Sequence, residues 1–461
     1  VSSGANLTTR LEKLVGSKRV RASEAELREF AIAGRTPMAV LQPCSAEEVA
    51  EIVSFTAAEK LAVVACGSRS KLELGMPPQH YELALDMTGL SQIVDYDPGD
   101  LTVSVEAGIP LKELAKVLAA KNQFLPLAVP CSGTSTVGGA IASGIDSTLR
   151  QQYGTARDFL IGAEFVDGAG KLCKSGGRVV KNVTGYDLHK LLIGSLGSLG
   201  VITRLNFRTF PSPELRGAHL AAFPTMEAAL SFHTSLVKSG LPFSNLELFD
   251  SEFSALLMGF VNKAGASIRK SLATGDWEVF ASFEGSVAVI ERIQRELRER
   301  SVQEQAARSE ILGAQSSQQL SDALQETFDW LRSAAPGVAL LRIVLPQTTS
   351  GDVAELMLNM SQQSPLRSAF VLRACNVIYL ALLAESEGTQ SRIDLEHRVS
   401  ELFSRVEVTQ GSATLLYAPP WLKDRVNVWG AKRADFPLMQ RVKQAFDPQN
   451  IFAPGRFVGG I

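Results

Sequence analysis

The chain has 461 residues, 45% of them hydrophobic and 20% charged, with a formal net charge of −2. That length allows two or three domains, and the balance excludes a disordered chain or a strongly basic nucleic-acid binder. Aromatic residues make up 7%, too few for a platform that stacks single-stranded bases.

The five cysteines, Cys44, Cys66, Cys131, Cys173 and Cys375, are widely scattered. Without a C-x-x-C pair they build neither a zinc knuckle nor an iron–sulfur cluster, and free thiols in a reducing compartment are expected. No apolar run reaches the roughly 18 residues of a membrane span. The opening VSSGANLTTRLEKLVG lacks a signal-peptide core. The expected location is cytoplasmic, with peripheral membrane attachment through partners left open.

Residues 5–33 pattern as amphipathic helix, with Leu11, Leu14, Val15, Leu27 and Phe30 on apolar faces. A short strand is predicted within 37–43. Ser45, with Glu48 three residues on, reads as a capping box that opens a helix over 46–59. A strand over 61–65 completes a β-α-β unit, for which a parallel pair is expected. It runs into the small-residue turn Cys66-Gly-Ser-Arg-Ser-Lys71. That turn is no P-loop, since G-x-x-x-x-G-K-[ST] is absent. It reads equally as a phosphate loop or an ordinary strand-end loop. Segments 83–86, 93–97 and 101–105 predict a strand meander. Residues 110–120 predict a helix with proline at its start.

The glycine-dense stretch 130–200 follows, opening PCSGTSTVGGAIASG. Thr136 is expected to open a helix whose small residues pack against a sheet or a cofactor. Strands over 160–167 and 171–173 flank the hairpin turn Asp167-Gly-Ala-Gly170. Gly194-Ser-Leu-Gly197-Ser-Leu-Gly200 is G-x-x-G-x-x-G, and no acidic residue follows about twenty positions on, which argues against a Rossmann site. Glycine-rich turns of this kind offer backbone N–H groups to a phosphate-bearing ligand. Tight helix–sheet packing alone is the other reading. A strand over 201–210 closes at Pro211-Ser-Pro213.

Beyond Pro213 glycine thins out. Helices over 226–238, 287–307, 318–334, 352–362 and 391–403 are predicted. They alternate with strands over 244–248, 277–283, 338–345, 368–372 and 376–383, as in an α+β second domain. The polar residues 300–320 read as a mobile loop. A strand over 411–417 and a helix over 438–446 lead to a tail rich in Phe, Pro and Gly, which is expected to pack on the first domain.

Three pieces together resemble FAD-binding oxidoreductases of the vanillyl-alcohol oxidase type. They are the 66–75 loop, the 130–144 run followed by Tyr153-Gly-Thr-Ala-Arg157-Asp158, and the terminal Phe446-Asp447-Pro448…Pro454-Gly455-Arg456. Within that family, Lys181-Asn-Val-Thr-Gly-Tyr-Asp-Leu188 and the Gly194–Gly200 repeat look most like the FAD-binding subunits of glycolate oxidase, the GlcE type. Val428-Trp429-Gly430 looks similar too.

The resemblance implies an α+β fold with a two-part FAD-binding domain over 1–213. It implies an α+β, ferredoxin-like cap over 214–410, and a segment over 411–461 that returns to the FAD domain. It implies noncovalent FAD between the two parts of the first domain. Gly67, Ser68, Arg69, Ser70 and Lys71 would line the pyrophosphate. Pro130, Gly133, Thr134, Thr136, Val137, Gly138 and Gly139 would follow the diphosphate towards the flavin. Ser143, Arg157 and Asp158 would continue that wall, and Gly197, Gly200, Val201 and Ile202 would meet the adenine and ribose. A valine at Gly138 would, on this placement, abut the phosphates.

Departures bear on mechanism. Related hydroxy-acid dehydrogenases carry paired metal-binding histidines. Here His80, His189, His219, His233 and His397 show no ligand spacing, so no metal site is expected. The first loop holds no histidine for covalent flavin attachment, and Cys131 stands out of register for it. Ala453 stands where relatives place asparagine. Oxidising a 2-hydroxy acid needs a cation for the carboxylate, a base for the hydroxyl and flavin for the hydride. Arg342 and Arg373 are the candidate cations, against the plainer reading of solvated strand-edge arginines, and no base stands out. Two functions follow. One is an FAD-dependent dehydrogenase of glycolate or D-lactate acting alone. The other, preferred here, is an FAD-bearing or structural subunit of a multisubunit oxidase, in which the hydroxy-acid site sits on a homologous flavin subunit and an iron–sulfur subunit carries the electrons away.

Overall fold

The computed structural model describes residues 2–177, 186–263, 277–346 and 365–461. The helix expected over 352–362, and residues 181–185 of the Lys181–Leu188 motif, lie outside the described residues.

The N-terminal part is built on a small sheet in the order Val20–Arg21, Ala39–Leu41, Leu83–Asp86, Val63–Cys66. The last three strands run parallel. Leu83–Asp86 is buried at all four positions, as a parallel strand covered on both faces must be. It therefore inserts between the two strands of the β-α-β unit, which do not pair directly as expected. It also takes no part in the expected meander, which reduces to the hairpin Ile93–Asp97 with Thr102–Glu106. The connecting helix Ala46–Glu59 is capped by Ser45, whose hydroxyl accepts from Glu48 N at 3.2 Å. Glu48 does not close the capping box. Its carboxylate accepts from Cys44 N at 2.8 Å and pairs with Arg19. The helix expected over 5–33 is interrupted at Gly16, where φ is +84°, giving Ser2–Val15 and the short Glu24–Arg28.

A second, antiparallel sheet runs Ile93–Asp97, Thr102–Glu106, Val201–Arg208, Leu160–Val166, Leu172–Gly176. The helices Leu111–Ala119 and Val137–Ser143 cover one face, with Leu114, Leu118, Val137 and Ile141 buried against Val105, Ala163, Leu205 and Phe207.

The third unit is an eight-stranded sheet made of two halves. In the first half, Leu215–Phe223, Phe243–Phe249, Trp277–Gly285 and Arg308–Leu312 stand in the spatial order fourth, first, third, second. In the second half, Gly337–Val344, Arg367–Arg373, Val377–Ala384 and Ser412–Tyr417 repeat that order. Every neighbouring pair is antiparallel, so each half has ferredoxin-like order, and the halves join where Phe243–Phe249 pairs with Arg367–Arg373. The helices Met226–Lys238, Val287–Gln303 and Thr389–Val408 pack on one face with Phe232, Leu297 and Leu402 fully buried.

Three expectations change here. Residues 300–320 are not a mobile loop: they hold the edge strand Arg308–Leu312 and open the helix Ala314–Gln325. The helix expected over 318–334 breaks at Glu326 into Ala314–Gln325 and Thr327–Arg332. Ser412–Tyr417 completes the cap sheet and does not belong with the returning tail. The tail proper begins beyond it. Val63 N donates to Ile451 O at 2.7 Å and Ala453 N to Val63 O at 2.9 Å, so residues 451–453 extend the first sheet. Lys443 fixes the turn before them, donating to Asp447 Oδ2 at 2.7 Å, Ser198 O at 2.8 Å and Phe452 O at 2.9 Å.

Candidate functional site

A cleft with about 510 Å³ of empty space opens where the first sheet meets the second. The strand Val63–Cys66 ends at its floor, and the turn 67–72 forms one wall. The helix Val137–Ser143 forms the other, with Leu196 and Arg456 closing the ends. Among the described residues, the backbone N–H groups of Ser68, Arg69 and Ser70 have no protein acceptor. Arg69 adopts a left-handed backbone, φ +68°, the kind of turn that gathers successive N–H donors on one side.

Two contacts weld the walls together. A Cβ on Gly67 would fall 2.0 Å from Thr136 Oγ1, so the turn touches the helix cap directly. Ser135, buried at the base of the cap, meets Ser70 Oγ at 3.2 Å and accepts from Lys71 Nζ.

The charge is one-sided. Arg69, Lys71 and Arg456 line the cleft and no carboxylate does. Arg69 stacks on Phe30 and pairs with Glu29 outside. Arg456 is buried, donates to Leu72 O at 2.6 Å and to Leu74 O, and keeps Nε without a partner among the described residues. Burial pulls its pKa down to about 10. Burial also lowers Lys71, against the pull of Cys131, Asp329 and Glu326. Cations held dry without a full counter-charge, beside free N–H groups, suit a dianionic diphosphate.

Of the residues singled out in the sequence, Gly67, Ser68, Arg69, Ser70, Lys71, Thr136, Gly139 and Ser143 line this cleft. Gly139 faces it with only Thr136 Oγ1 near its Cβ direction, at 3.0 Å. Gly138 points the other way. A Cβ there would strike Ala107 Cβ at 2.7 Å, and its N–H is spent on Ala107 O at 2.7 Å. Val137 is core, with its N–H on Ile109 O. The expectation that Val137 and Gly138 follow a diphosphate is therefore corrected: they dock the helix on the second sheet.

Pro130 lies in an adjoining cavity, while Gly133 and Thr134 are exposed on the outer side of the turn. Arg157 and Asp158 are exposed and stand off the cleft. Asp158 Oδ2 accepts from Thr155 N at 2.7 Å, a capping role, and Arg157 reaches Lys190 O at 3.4 Å. Gly197 turns with φ +74°. Gly200 is needed because a Cβ would meet Val166 O at 2.9 Å. Val201 and Ile202 are buried strand residues. None of these six lines the cleft.

Arg342 and Arg373 are not solvated strand-edge residues either. Arg342 forks onto Asp146, Nε to Oδ2 at 2.7 Å and Nη2 to Oδ2 at 2.5 Å. Arg373 is 2% exposed and pairs through Nε with Glu247 Oε1 at 2.7 Å. Arg150 adds a contact to Asp146 Oδ1 at 2.8 Å, and Tyr379 OH one to Oδ2 at 3.4 Å. Burial opposes the charge on Arg342, but Asp146 and Tyr379 together outweigh it and raise the pKa. Arg342 thus ties the cap to the loop at 144–150, while Arg373 is paired within the cap and reaches that loop through Nη1 to Asp146 O at 3.5 Å. Sequence reading missed Leu196, which gave no signal, and left Arg456 as part of a terminal motif without a cleft role.

Family comparison matches this architecture. An FAD binding domain model covers residues 37–176, and the model of the C-terminal domain of FAD linked oxidases covers 212–363 and 428–457. The chain is an FAD-linked oxidoreductase, an FAD-binding domain joined to an FAD-linked oxidase C-terminal domain. Its fold is that of the vanillyl-alcohol oxidase type. The 4-ethylphenol oxidase from Gulosibacter chungangensis superposes with a TM-score of 0.76 at 17% identity, over 98% of this chain and 96% of that one. Among curated relatives, glycolate oxidase subunit GlcD of Bacillus subtilis is 23% identical over 91% of this chain and 88% of its own length. Glycolate oxidase subunit GlcE of Escherichia coli is 34% identical over 48% of this chain and 63% of its own length, less than two thirds of that subunit. The cofactor is FAD. The donor set of the cleft fits its diphosphate. Among the described residues no helix is long and apolar enough to cross a membrane, and no group of three His, Cys, Asp or Glu side chains could hold a metal ion.

Proposed function

We propose that this chain is the FAD-binding subunit of a complex that oxidises glycolate or a similar 2-hydroxy acid. The observation that carries this reading is the carboxylate-free, cation-lined cleft between the two sheets. Ser68, Arg69 and Ser70 supply backbone donors to the diphosphate, Lys71 and Arg456 supply charge, and Gly139 leaves room. FAD held there supplies a two-electron redox centre to the complex. It is held noncovalently. Cys66 and Cys131 are the thiols beside it, and burial pushes both up to about 12, far from a reactive thiolate.

The subunit reading is favoured by the state of Arg342 and Arg373, each already engaged by a carboxylate of the chain itself. A homologous flavin subunit then handles the hydroxy acid, and an iron–sulfur subunit takes the electrons away. The second reading, a dehydrogenase acting alone, is favoured by the similarity of just under half of this chain to proteins named D-2-hydroxyglutarate dehydrogenase and D-lactate dehydrogenase.

The purified chain tests both. A flavin spectrum is expected, and anaerobic glycolate or D-lactate should leave it oxidised until the partner subunits are added. Bleaching by either acid without partners would overturn the subunit reading. A colourless protein that takes up no added FAD would overturn the assignment of the cleft.

A further inference from the structure

A second hollow, separate from the FAD cleft, lies beside the helix Leu111–Ala119. It holds about 1210 Å³ of empty space, against about 510 Å³ in the cleft, and the two share no lining residue. The helix forms one side, and the segment 124–128 with Leu149 forms the other. Leu114 and Leu118 anchor the helix in the core of the second sheet, 1% and 0% exposed. Ala115 and Ala119 stand one turn apart and exposed beside the hollow, so the helix presents a trough that longer side chains would fill. Small-molecule sites take this form: concave, mostly apolar, about 300–1,000 Å³ in volume, with a few polar groups that set orientation.

The charge at this hollow is cationic. Lys112 and Lys116 stand one turn apart on its rim, and no carboxylate lines it. Lys116 pairs with Glu113 Oε1 at 2.9 Å, while Lys112 makes no ion pair among the described residues. The other polar groups are already used: Ser132 Oγ donates to Glu326, and Gln325 Nε2 donates to Val129 O at 3.3 Å. The walls are apolar, with Leu111, Leu125 and Leu127 facing in and Phe124 braced edge-on against Tyr153 at 5.3 Å. Two cations on one rim above leucine walls select a molecule with matching halves. A neutral hydrocarbon would leave the rim charge unmatched, and a small hydrophilic acid would leave the leucines wet.

We propose that this hollow binds a long-chain carboxylate, a fatty acid, with its head group between Lys112 and Lys116 and its chain laid between the helix and Leu125 and Leu127. The site is independent of the flavin chemistry and of which acid is oxidised. Its effect follows from what else lines it. Leu149 lies on the loop that carries Asp146, and Gln325 lies on the cap. A chain held there touches both sides of the seam and stabilises the folded protein by mass action.

Octanoate, decanoate and dodecanoate, each below its micellar concentration, are titrated calorimetrically into the FAD-loaded protein. One molecule should bind per chain, with affinity rising about fourfold for each added methylene. Ala119→Phe fills the trough from an exposed position and should abolish binding while the flavin content stays the same. Replacing both rim lysines, Lys112→Met with Lys116→Met, should weaken decanoate about fivefold and leave decanol binding unchanged. These two lysines are exposed, so this variant keeps the test decisive if Ala119→Phe does not fold. Absence of dodecanoate binding overturns the proposal. So does binding that neither variant alters, which would be adsorption without a site. Release of flavin during the titration overturns it as well, because the acid would then be entering the FAD cleft. Capture of the protein by phosphatidylglycerol vesicles without binding of the free acids would overturn it in favour of a membrane-facing surface.

Discussion

Gly67 and Thr136 approach so closely that a single methyl group at Gly67 would sit 2.0 Å from Thr136 Oγ1 and 2.9 Å from its Cβ. The contact joins the end of the first sheet to the first turn of a helix on the second, and the FAD cleft opens beside it. Gly67→Ala must therefore push the walls apart. Overpacking of this kind costs about 1–3 kcal/mol, and disturbing the Thr136 cap about 1 kcal/mol more. The expected result is a lower melting temperature and a sharply lower flavin-to-protein ratio. Adding Thr136→Ala removes the 2.0 Å contact but keeps the one at 2.9 Å, so recovery should be partial. Full flavin content in Gly67→Ala alone would contradict the contact.

The neighbouring glycines should separate folding from binding. Gly139 faces the cleft, and a Cβ there meets only Thr136 Oγ1, at 3.0 Å. Gly138 faces Ala107, with its Cβ position 2.7 Å from that methyl and 2.8 Å from its carbonyl. Gly139→Val should leave the melting temperature of the FAD-free protein nearly unchanged and abolish FAD uptake. Gly138→Val should destabilise the FAD-free protein itself. Equal melting temperatures for the two variants would refute this division.

That division also shows where sequence reading stopped. The glycine pair was visible as a close-approach signal, but a sequence does not say which glycine faces which neighbour. The answer depends on the helix phase, set by Val137 entering the core. The Ser45 cap, the Thr136 cap and the small-residue turn at 66–71 were legible because each is local chemistry. The insertion of Leu83–Asp86 between two earlier strands was not, since strand order is decided by burial across the whole sheet. The roles of Arg342 and Arg373 were hidden for a similar reason. Their partners Asp146 and Glu247 lie 196 and 126 residues away in the chain. The break at Glu326 carries neither glycine nor proline, so nothing local announces it.

Asp146 is the hub of the seam between the domains, accepting from Arg342 at 2.7 Å and touching Arg150 at 2.8 Å and Tyr379 at 3.4 Å. Asp146→Ala strands two arginines in a poorly hydrated place, a change that costs about 3–5 kcal/mol for a buried pair. Arg342→Met leaves Asp146 with Arg150 still beside it and should cost less. In the double variant the cost should fall below the sum of the two by about 1–3 kcal/mol, the size of coupling seen for contacting residues. Urea unfolding of the four proteins measures this. Simple additivity would mean that the fork between Arg342 and Asp146 contributes nothing of its own.

Lys423 predicts a pH dependence whose sign is fixed by burial. The residue is 2% exposed, and its amine donates to Glu73 O and, at 3.4 Å, to Gly75 O. Burial lowers its pKa from 10.5 to about 8, against the opposing pull of Glu73 at 3.6 Å. Between about pH 8 and 10.5 the unfolded chain holds a proton that the folded chain has lost, so this residue makes stability rise with pH. Below that window both states are protonated and the folded state bears the full penalty, on the order of 3 kcal/mol. Lys423→Met removes the penalty and also two hydrogen bonds, each of about 1 kcal/mol. Relative to the unaltered protein, the variant should therefore fare best near pH 7 and lose ground steadily towards pH 10. Melting curves of both proteins across that range decide the matter. A difference that stays flat, or that moves in the variant's favour as pH rises, would show that the amine is not held neutral by burial.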